Sequence, residues 1–309
     1  MECYLDNSAT TKPCKAAVDA EISALTELYG NPSSLDQKGV DAYMLLEKSR
    51  GTIAASLKAS PDEIYFTPCG TVSNNTAIFG AKKRLGKKIV TTALEHPSVE
   101  KCMERLEESG FEVVRVQPQS DGNISLKDFE NAIDENTILV SVMAVNNEVG
   151  SVMPTENLKK IIKSKNSPAL LHVDDVQGYM KIPLCPKSCG IDLMSVSAHK
   201  VHGPKGVGAL YINKNVRINP YILGGGQHVY QLEVLVYHAD SGVDGVLRGA
   251  EHYVFPAYLD LAAVRGVDTA EHVYQRALTG AVLTEQREYF ALADVDGNVL
   301  VRLHRAEAL

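Results

Sequence analysis

No cysteine follows Cys189 in this 309-residue chain, and the six it has (Cys3, Cys14, Cys69, Cys102, Cys185 and Cys189) are scattered over the first two thirds. So sparse a set excludes a secreted disulfide scaffold and predicts free thiols. No uninterrupted apolar run reaches the roughly 18 to 20 residues of a membrane span, and the opening MECYLDNSAT has no basic stretch followed by an apolar one. The expectation is a cytoplasmic protein with no membrane partner. Lys and Arg nowhere form a block, the formal net charge is −7, and the isoelectric point is near 5.7. Such a surface does not suit a phosphate backbone, which excludes nucleic acid as a partner. Internal repeats and low-complexity segments are missing too. A small-molecule substrate is the default that remains.

With 45% apolar residues the chain can bury one large core and carry a smaller appendage. Between about residue 50 and residue 215, short β-branched runs alternate with longer stretches whose apolar residues recur at three- and four-residue spacing. Strands are predicted at 63–67, 88–92, 112–116, 137–142, 170–173, 193–196 and 208–212, and helices at 15–28, 40–57, 72–85, 98–109, 126–133 and 155–163. Several strands are too apolar to be half-exposed, which predicts an α/β fold with a mainly parallel seven-stranded sheet flanked by helices. GNPSS (Gly30–Ser34) reads as a turn, and past Ile222, at GGGQ (Gly224–Gln227), the alternation stops.

Polar residues cluster just after the strands, at the carboxyl edge where open α/β sheets bind ligands. SVSAHKVHGPKG (Ser195–Gly206) puts Lys200 among Ser, His and Gly instead of on a solvated helix face. A lysine that condenses with a carbonyl must spend time uncharged, which burial and neighbouring cations favour; His199 and Lys205 are its neighbours in sequence. LLHVDDVQG (Leu170–Gly178) ends an apolar run in two carboxylates. Asp174 is placed to pair with a protonated pyridine nitrogen, and Asp175 to point to the opposite face. TPCGTVSNN (Thr67–Asn75) offers the Gly70 and Thr71 amides and the Thr71 hydroxyl to a phosphate at a helix start. ALEHPSVE sets His96 where its ring can stack on a planar cofactor and move protons, and AVNNEVG sets Asn147 to bond a ring oxygen. Singly, these features also fit a surface lysine, an N-cap aspartate and an ordinary capped turn. Five strand ends with a complementary set point to pyridoxal 5'-phosphate (PLP) held by Lys200.

YLDNSATT, GNPSS, GTVSNN, EHPSV, NNEVG, HVDDVQG and SAHKVHGPKGVGALY, in this order over roughly residues 3–227, resemble the NifS/IscS-like cysteine desulfurases of the class V aminotransferase family. The resemblance implies a fold-type-I PLP-dependent transferase, with a large cofactor domain over 12–250 and a reduced small domain from 1–11 and 251–309. It implies that Lys200 binds PLP covalently, Asp174 pairs with the pyridinium nitrogen, His96 stacks on the ring, and Asn147 and Gln177 contact the ring hydroxyl side. Thr71, Ser197 and His199 would hold the phosphate. It further implies a homodimer that takes sulfur from L-cysteine, leaves L-alanine, and passes the sulfur through an enzyme cysteine to an acceptor or iron–sulfur scaffold protein.

The chain departs from this pattern towards its end. HVYQLEVLVYHADSGVDGV separates the Gly224–Gly226 cluster from LRGAEHYVFPAYLDLAAV (Leu247–Val264), where Arg248 and Glu251 stand as remnants of a Gly-x-Arg-Ser-Gly-Thr-Glu-Asn stretch and Ala250 replaces a partner-donated threonine. The family's catalytic cysteine lies in the C-terminal small domain, where this chain has none, and the tail after residue 265 is shorter than that domain. The expectation is therefore a desulfurase, with another PLP-dependent lyase or aminotransferase, or a PLP-binding relative without turnover, as the alternatives. Cys69 is read as a small buried thiol instead of a substitute nucleophile, and Arg302 as a strand arginine. Cys185, Cys189, His199 and His202 are set aside as a zinc site because the second His spacing is short and His199 belongs to the lysine segment, so no metal is expected. Gly224–Gly226 lacks the strand–Gly-x-Gly-x-x-Gly–helix context of a nicotinamide enzyme.

Overall fold

Period-two burial builds the sheet and decides which side chains face the site. The computed structural model describes residues 4–81 and 86–222. Its strands are β1 (Ile64–Thr67), β2 (Lys88–Thr92), β3 (Glu112–Val116), β4 (Thr137–Met143), β5 (Leu170–Asp174), β6 (Leu193–Ser197) and β7 (Gly208–Ile212). They form a seven-stranded sheet in the order β1-β7-β6-β5-β4-β2-β3. Pairs from β6 across to β3 are parallel, while β7 runs antiparallel to both β1 and β6. The described residues fall within one compact unit, Met1–Val236. Gly224–Gln227, Arg248, Ala250, Glu251, Arg302 and the expected small-domain boundary at 250 lie outside the described residues.

The helices are α1 (Lys15–Thr26), α2 (Gln37–Ser56), α3 (Gly70–Ala81), α4 (Pro97–Glu108), α5 (Leu126–Ala132), α6 (Thr155–Ser164) and α7 (Pro186–Cys189). One face of the sheet packs Ala209, Tyr211, Val140 and Val173 against Leu57, Phe129, Leu158 and Ile162 of the α2, α5 and α6 layer. The other packs Leu210, Ile212, Ile89 and Leu170 against Ala77, Ile78, Val99, Met103 and Leu106 of α3 and α4. Strands β4, β6 and β7 are buried along their whole length, as a sheet covered on both faces requires. Alternation along β5 sends Leu170, His172 and Asp174 to the α3–α4 side, so the last of them emerges beneath α3.

Local signals fix the helix ends. Pro97 occupies the first position of α4 behind the N-cap His96, with Glu100 in the first turn and Arg105 in the last, matching the helix dipole. Asp36 caps α2 by accepting from the Gly39 amide at 3.0 Å. The α1–α2 turn needs Gly30, where a Cβ would lie 2.1 Å from the Lys38 carbonyl oxygen. Helix α7 and the 3-10 turns Pro61–Glu63 and Ala198–Lys200 were not predicted, because four or fewer residues are too short to show a period.

Candidate active site

Lys200 ends the 3-10 turn that leaves β6. Its Nζ donates to the carbonyls of Ser8 and, at 2.9 Å, Ala9. Burial lowers its pKa, Lys181 adds to the effect, and Asp6 and Asp174 oppose it. The cation that presses on the amine is thus Lys181, a correction to the expected His199 and Lys205. His199 is itself held below the ordinary imidazole range by burial and by the charges of Lys200 and Lys205, which favours its neutral form.

The N-terminal segment clamps this turn. The Ser8 carbonyl also accepts from Gln177 Nε2 at 2.7 Å. The Thr11 amide and hydroxyl donate to the His199 carbonyl at 2.8 and 2.9 Å, and Thr10 Oγ1 bonds His199 Nδ1 at 3.1 Å. The motif YLDNSATT is therefore the wall of the lysine site, and two of its backbone carbonyls aim the amine.

Asp174 is 5% exposed at the end of β5. Its Oδ2 accepts from Asn74 Nδ2 at 2.7 Å and its Oδ1 from the Val176 amide at 3.0 Å. Burial raises its pKa, and the bonds from Val176 and Asn74 and the charges of His96 and Lys200 offset only part of that rise. Among the described residues the carboxylate is held by neutral donors and makes no ion pair, which suits a protonated ring nitrogen. Asp175 is buried beside Gly178, and burial followed by repulsion from Asp174 pushes it up to about 8. His96 is exposed at the start of α4, where its Nδ1 bonds Ser98 Oγ at 2.8 Å and accepts from the Ser98 amide at 3.1 Å. Asn147 is half-buried in the turn after β4. The turn itself is held by Asn146, which donates to the Leu94 carbonyl at 2.9 Å and accepts from the Glu148 and Val149 amides at 2.8 Å each.

Gly70 opens α3, whose first-turn amides have no intrahelical acceptor. A Cβ at Gly70 would stand 2.6 Å from Val176 Cγ2 and 3.6 Å from Ser197 Cβ, so the glycine, β6 and the Asp174 turn meet with no room for a side chain. Ser197 Oγ is buried there without a hydrogen-bond partner among the described residues, and Thr71, which follows Gly70 in the chain, is exposed. An orphaned hydroxyl and free helix amides fit a phosphate ester, and the neighbouring lysine and carboxylate fit the pyridine ring of PLP. Cys69 is half-buried in the same turn. His202 bonds the Lys12 carbonyl at 3.1 Å, and among the described residues no group of three or more His, Cys, Asp or Glu could hold a metal.

Sequence reasoning missed Asn74, Ser98, Glu95 and the Ser8 carbonyl. Glu95 accepts from Thr92 Oγ1 at 2.6 Å and the Met143 amide at 3.1 Å, and burial pushes its pKa up to about 8. Asn74 and Ser98 lay inside quoted motifs, GTVSNN and EHPSV, yet only their contacts assign them work.

The mainly parallel seven-stranded sheet flanked by helices has the fold of the fold-type-I PLP-dependent transferases, as its likeness to a solved NifS-like protein shows. Residues 3–281 match the profile of the class-V aminotransferases, and the chain belongs to that family. It is 42% identical over 226 residues to a cysteine desulfurase of Nostoc sp., an alignment that takes in 72% of this chain and 56% of that relative. The chain thus spans little more than half the length of the curated relatives it matches. A solved NifS-like protein is similar with a TM-score of 0.71 and 44% identity, over 74% of this chain and 63% of that one. The structure of SspA in complex with cysteine follows with a TM-score of 0.70 and 34% identity, over 77% and 73%.

Proposed function

We propose that this chain binds PLP and carries out the cysteine desulfurase reaction, in which L-cysteine and a thiol give L-alanine and a persulfide. The carrying observation is the meeting, on one strand edge, of an amine whose charge is disfavoured, a buried carboxylate held by neutral donors, and a cradle whose hydroxyl has no partner among the described residues. The names of the relatives, and the cysteine bound by SspA, support the substrate.

In this reading Lys200 Nζ would hold the cofactor covalently, Asp174 would pair with its pyridine nitrogen, and His96 would cover the ring. Asn147 and Gln177 would contact the ring hydroxyl side, and Gly70, Thr71, Ser197 and His199 would hold the phosphate. When bound, the cofactor supplies an electron sink for bonds broken next to the substrate amine. The protein supplies position and proton control. Burial and Lys181 favour neutral, nucleophilic Lys200, and the Ser8 and Ala9 carbonyls fix where its Nζ lies. Gln177, tied to the same Ser8 carbonyl, keeps the wall of the pocket in register with the lysine. The cofactor domain over 12–250, a homodimeric state, a cytoplasmic location and delivery of sulfur to an acceptor or iron–sulfur scaffold protein belong to the same reading.

The test uses the full chain with PLP, L-cysteine and excess dithiothreitol. Borohydride should fix the cofactor to the Lys200 peptide, and alanine and sulfide should form in equal amounts. Lys200→Ala should abolish both. PLP fixed on Lys200 without alanine would sink the desulfurase assignment, and no fixation at all would sink the cofactor site.

A further inference from the structure

We propose that Asn74 and Ser98 are positioning residues that commit His96 to its Nε2–H tautomer and tie it to the Asp174 carboxylate, so that the imidazole meets the reaction as a hydrogen-bond donor. The inference deepens the PLP reading and rests on it for the word "reaction"; the proton arrangement itself rests on geometry alone.

The direction of each bond follows from the one before it. Asp174 Oδ2 lies 2.7 Å from Asn74 Nδ2. A carboxylate only accepts, so the amide of Asn74 must turn its NH2 towards Asp174 and not its oxygen. The same nitrogen reaches Ser98 Oγ at 2.9 Å, so that hydroxyl oxygen accepts from Asn74. Its own hydrogen is then free for the neighbour on its other side, His96 Nδ1 at 2.8 Å. The Ser98 backbone N–H, which can only donate, points at the same Nδ1 from 3.1 Å. Two donors on Nδ1 leave no place for a proton there, and the neutral ring carries its hydrogen on Nε2. Asn74 and Ser98 are both buried, so water does not compete for these bonds. Asn74 Oδ1 is left buried and without a partner among the described residues, which marks the orientation as one held by the Asp174 and Ser98 bonds against a local penalty. One asparagine thus fixes the carboxylate meant for one edge of the ring and, through a serine, the imidazole meant for its face.

The ring 15N resonances of His96, assigned by comparison with His96→Gln in the full chain, read the tautomer directly. In the chain without added PLP, Nδ1 should appear as the unprotonated nitrogen and Nε2 as the protonated one. Ser98→Ala removes one donor to Nδ1 and should move the tautomer ratio about fivefold, the factor one net hydrogen bond commands. Ser98→Thr should restore it, and Asn74→Leu should also move it by freeing the Ser98 hydroxyl. A protonated Nδ1 in the unaltered chain, or a ratio unmoved by Ser98→Ala in protein with native circular dichroism, would overturn the proposal. Ser98→Ala removes a single atom, so the test stands even if Asn74→Leu does not fold. Loss of PLP binding would leave the tautomer result untouched, which separates this proposal from the cofactor reading.

Discussion

An amine is a nucleophile only in the fraction of time it is uncharged, and at pH 7 an ordinary lysine is neutral in roughly one molecule in a few thousand. Burial and the charge of Lys181 enlarge that fraction for Lys200. Competitive acylation across a pH series, read by peptide mass spectrometry, should therefore give Lys200 a midpoint below the ordinary lysine value of about 10.4. Lys181→Met should move the Lys200 midpoint upwards. A midpoint at or above the ordinary value in the unaltered protein would refute this account of the lysine. Lys200, Asp174, Gly70 and His96 were legible in the sequence because each follows or opens an element whose period could be read. Lys181 was not legible, since its effect depends on folding across the sheet edge. Nor was Asn74, whose partners lie 100 and 24 residues along the chain. The Ser8 and Ala9 contacts use backbone carbonyls, which no side-chain pattern announces.

Elements carry two further consequences. The start of α3 must pass close under β6, and Gly70 permits it; Gly70→Ala puts a methyl 2.6 Å from Val176 Cγ2. Overpacking of this kind typically costs about 1–3 kcal/mol. Urea denaturation of Gly70→Ala should show that loss together with weakened PLP binding, and Val176→Ala in the same chain should return the stability. A neutral Gly70→Ala would mean that the helix start has room to spare. Strand β5 carries the other consequence. His172 is fully buried, bonded through Nδ1 to Ser141 Oγ at 2.8 Å and through Nε2 to Ser195 Oγ at 3.1 Å, and burial lowers its pKa from 6.5 to about 3. Below pH 6.5 the unfolded chain takes up a proton that the folded chain refuses until about pH 3. The contribution of neutral His172 is thus complete above 6.5 and is lost as pH falls from there, with a limiting slope of about 1.4 kcal/mol per pH unit. Between pH 7.5 and 5.5, by urea denaturation, the unaltered chain should lose more stability than His172→Gln does; equal losses would refute the assignment. Strand positions were legible here, but the reversal of β7 was not, because a period of two is the same read in either direction.

For the whole molecule, the cofactor reading becomes a statement about linkage. A ligand that binds only the folded chain stabilises it by about 2.7 kcal/mol at a hundredfold excess over its dissociation constant. The site described above divides that gain into parts that different ligands can report. In the proposed site, inorganic phosphate would engage the cradle at the α3 start and Ser197 Oγ but not Lys200 or Asp174. Pyridoxal without its phosphate would engage the ring side, Lys200 and Asp174 included, and PLP would engage both. The midpoint of thermal unfolding should therefore rise most with PLP and less with either fragment. Lys200→Ala should remove the pyridoxal effect while keeping the phosphate effect, and Gly70→Ala should do the reverse. If the folded unit is also a homodimer, the midpoint should climb with protein concentration as well, and more steeply than a monomer allows. A midpoint that PLP leaves unmoved would refute the site as a cofactor pocket. One that PLP raises equally in Lys200→Ala and in the unaltered chain would show that the phosphate cradle, and not the lysine, dominates binding.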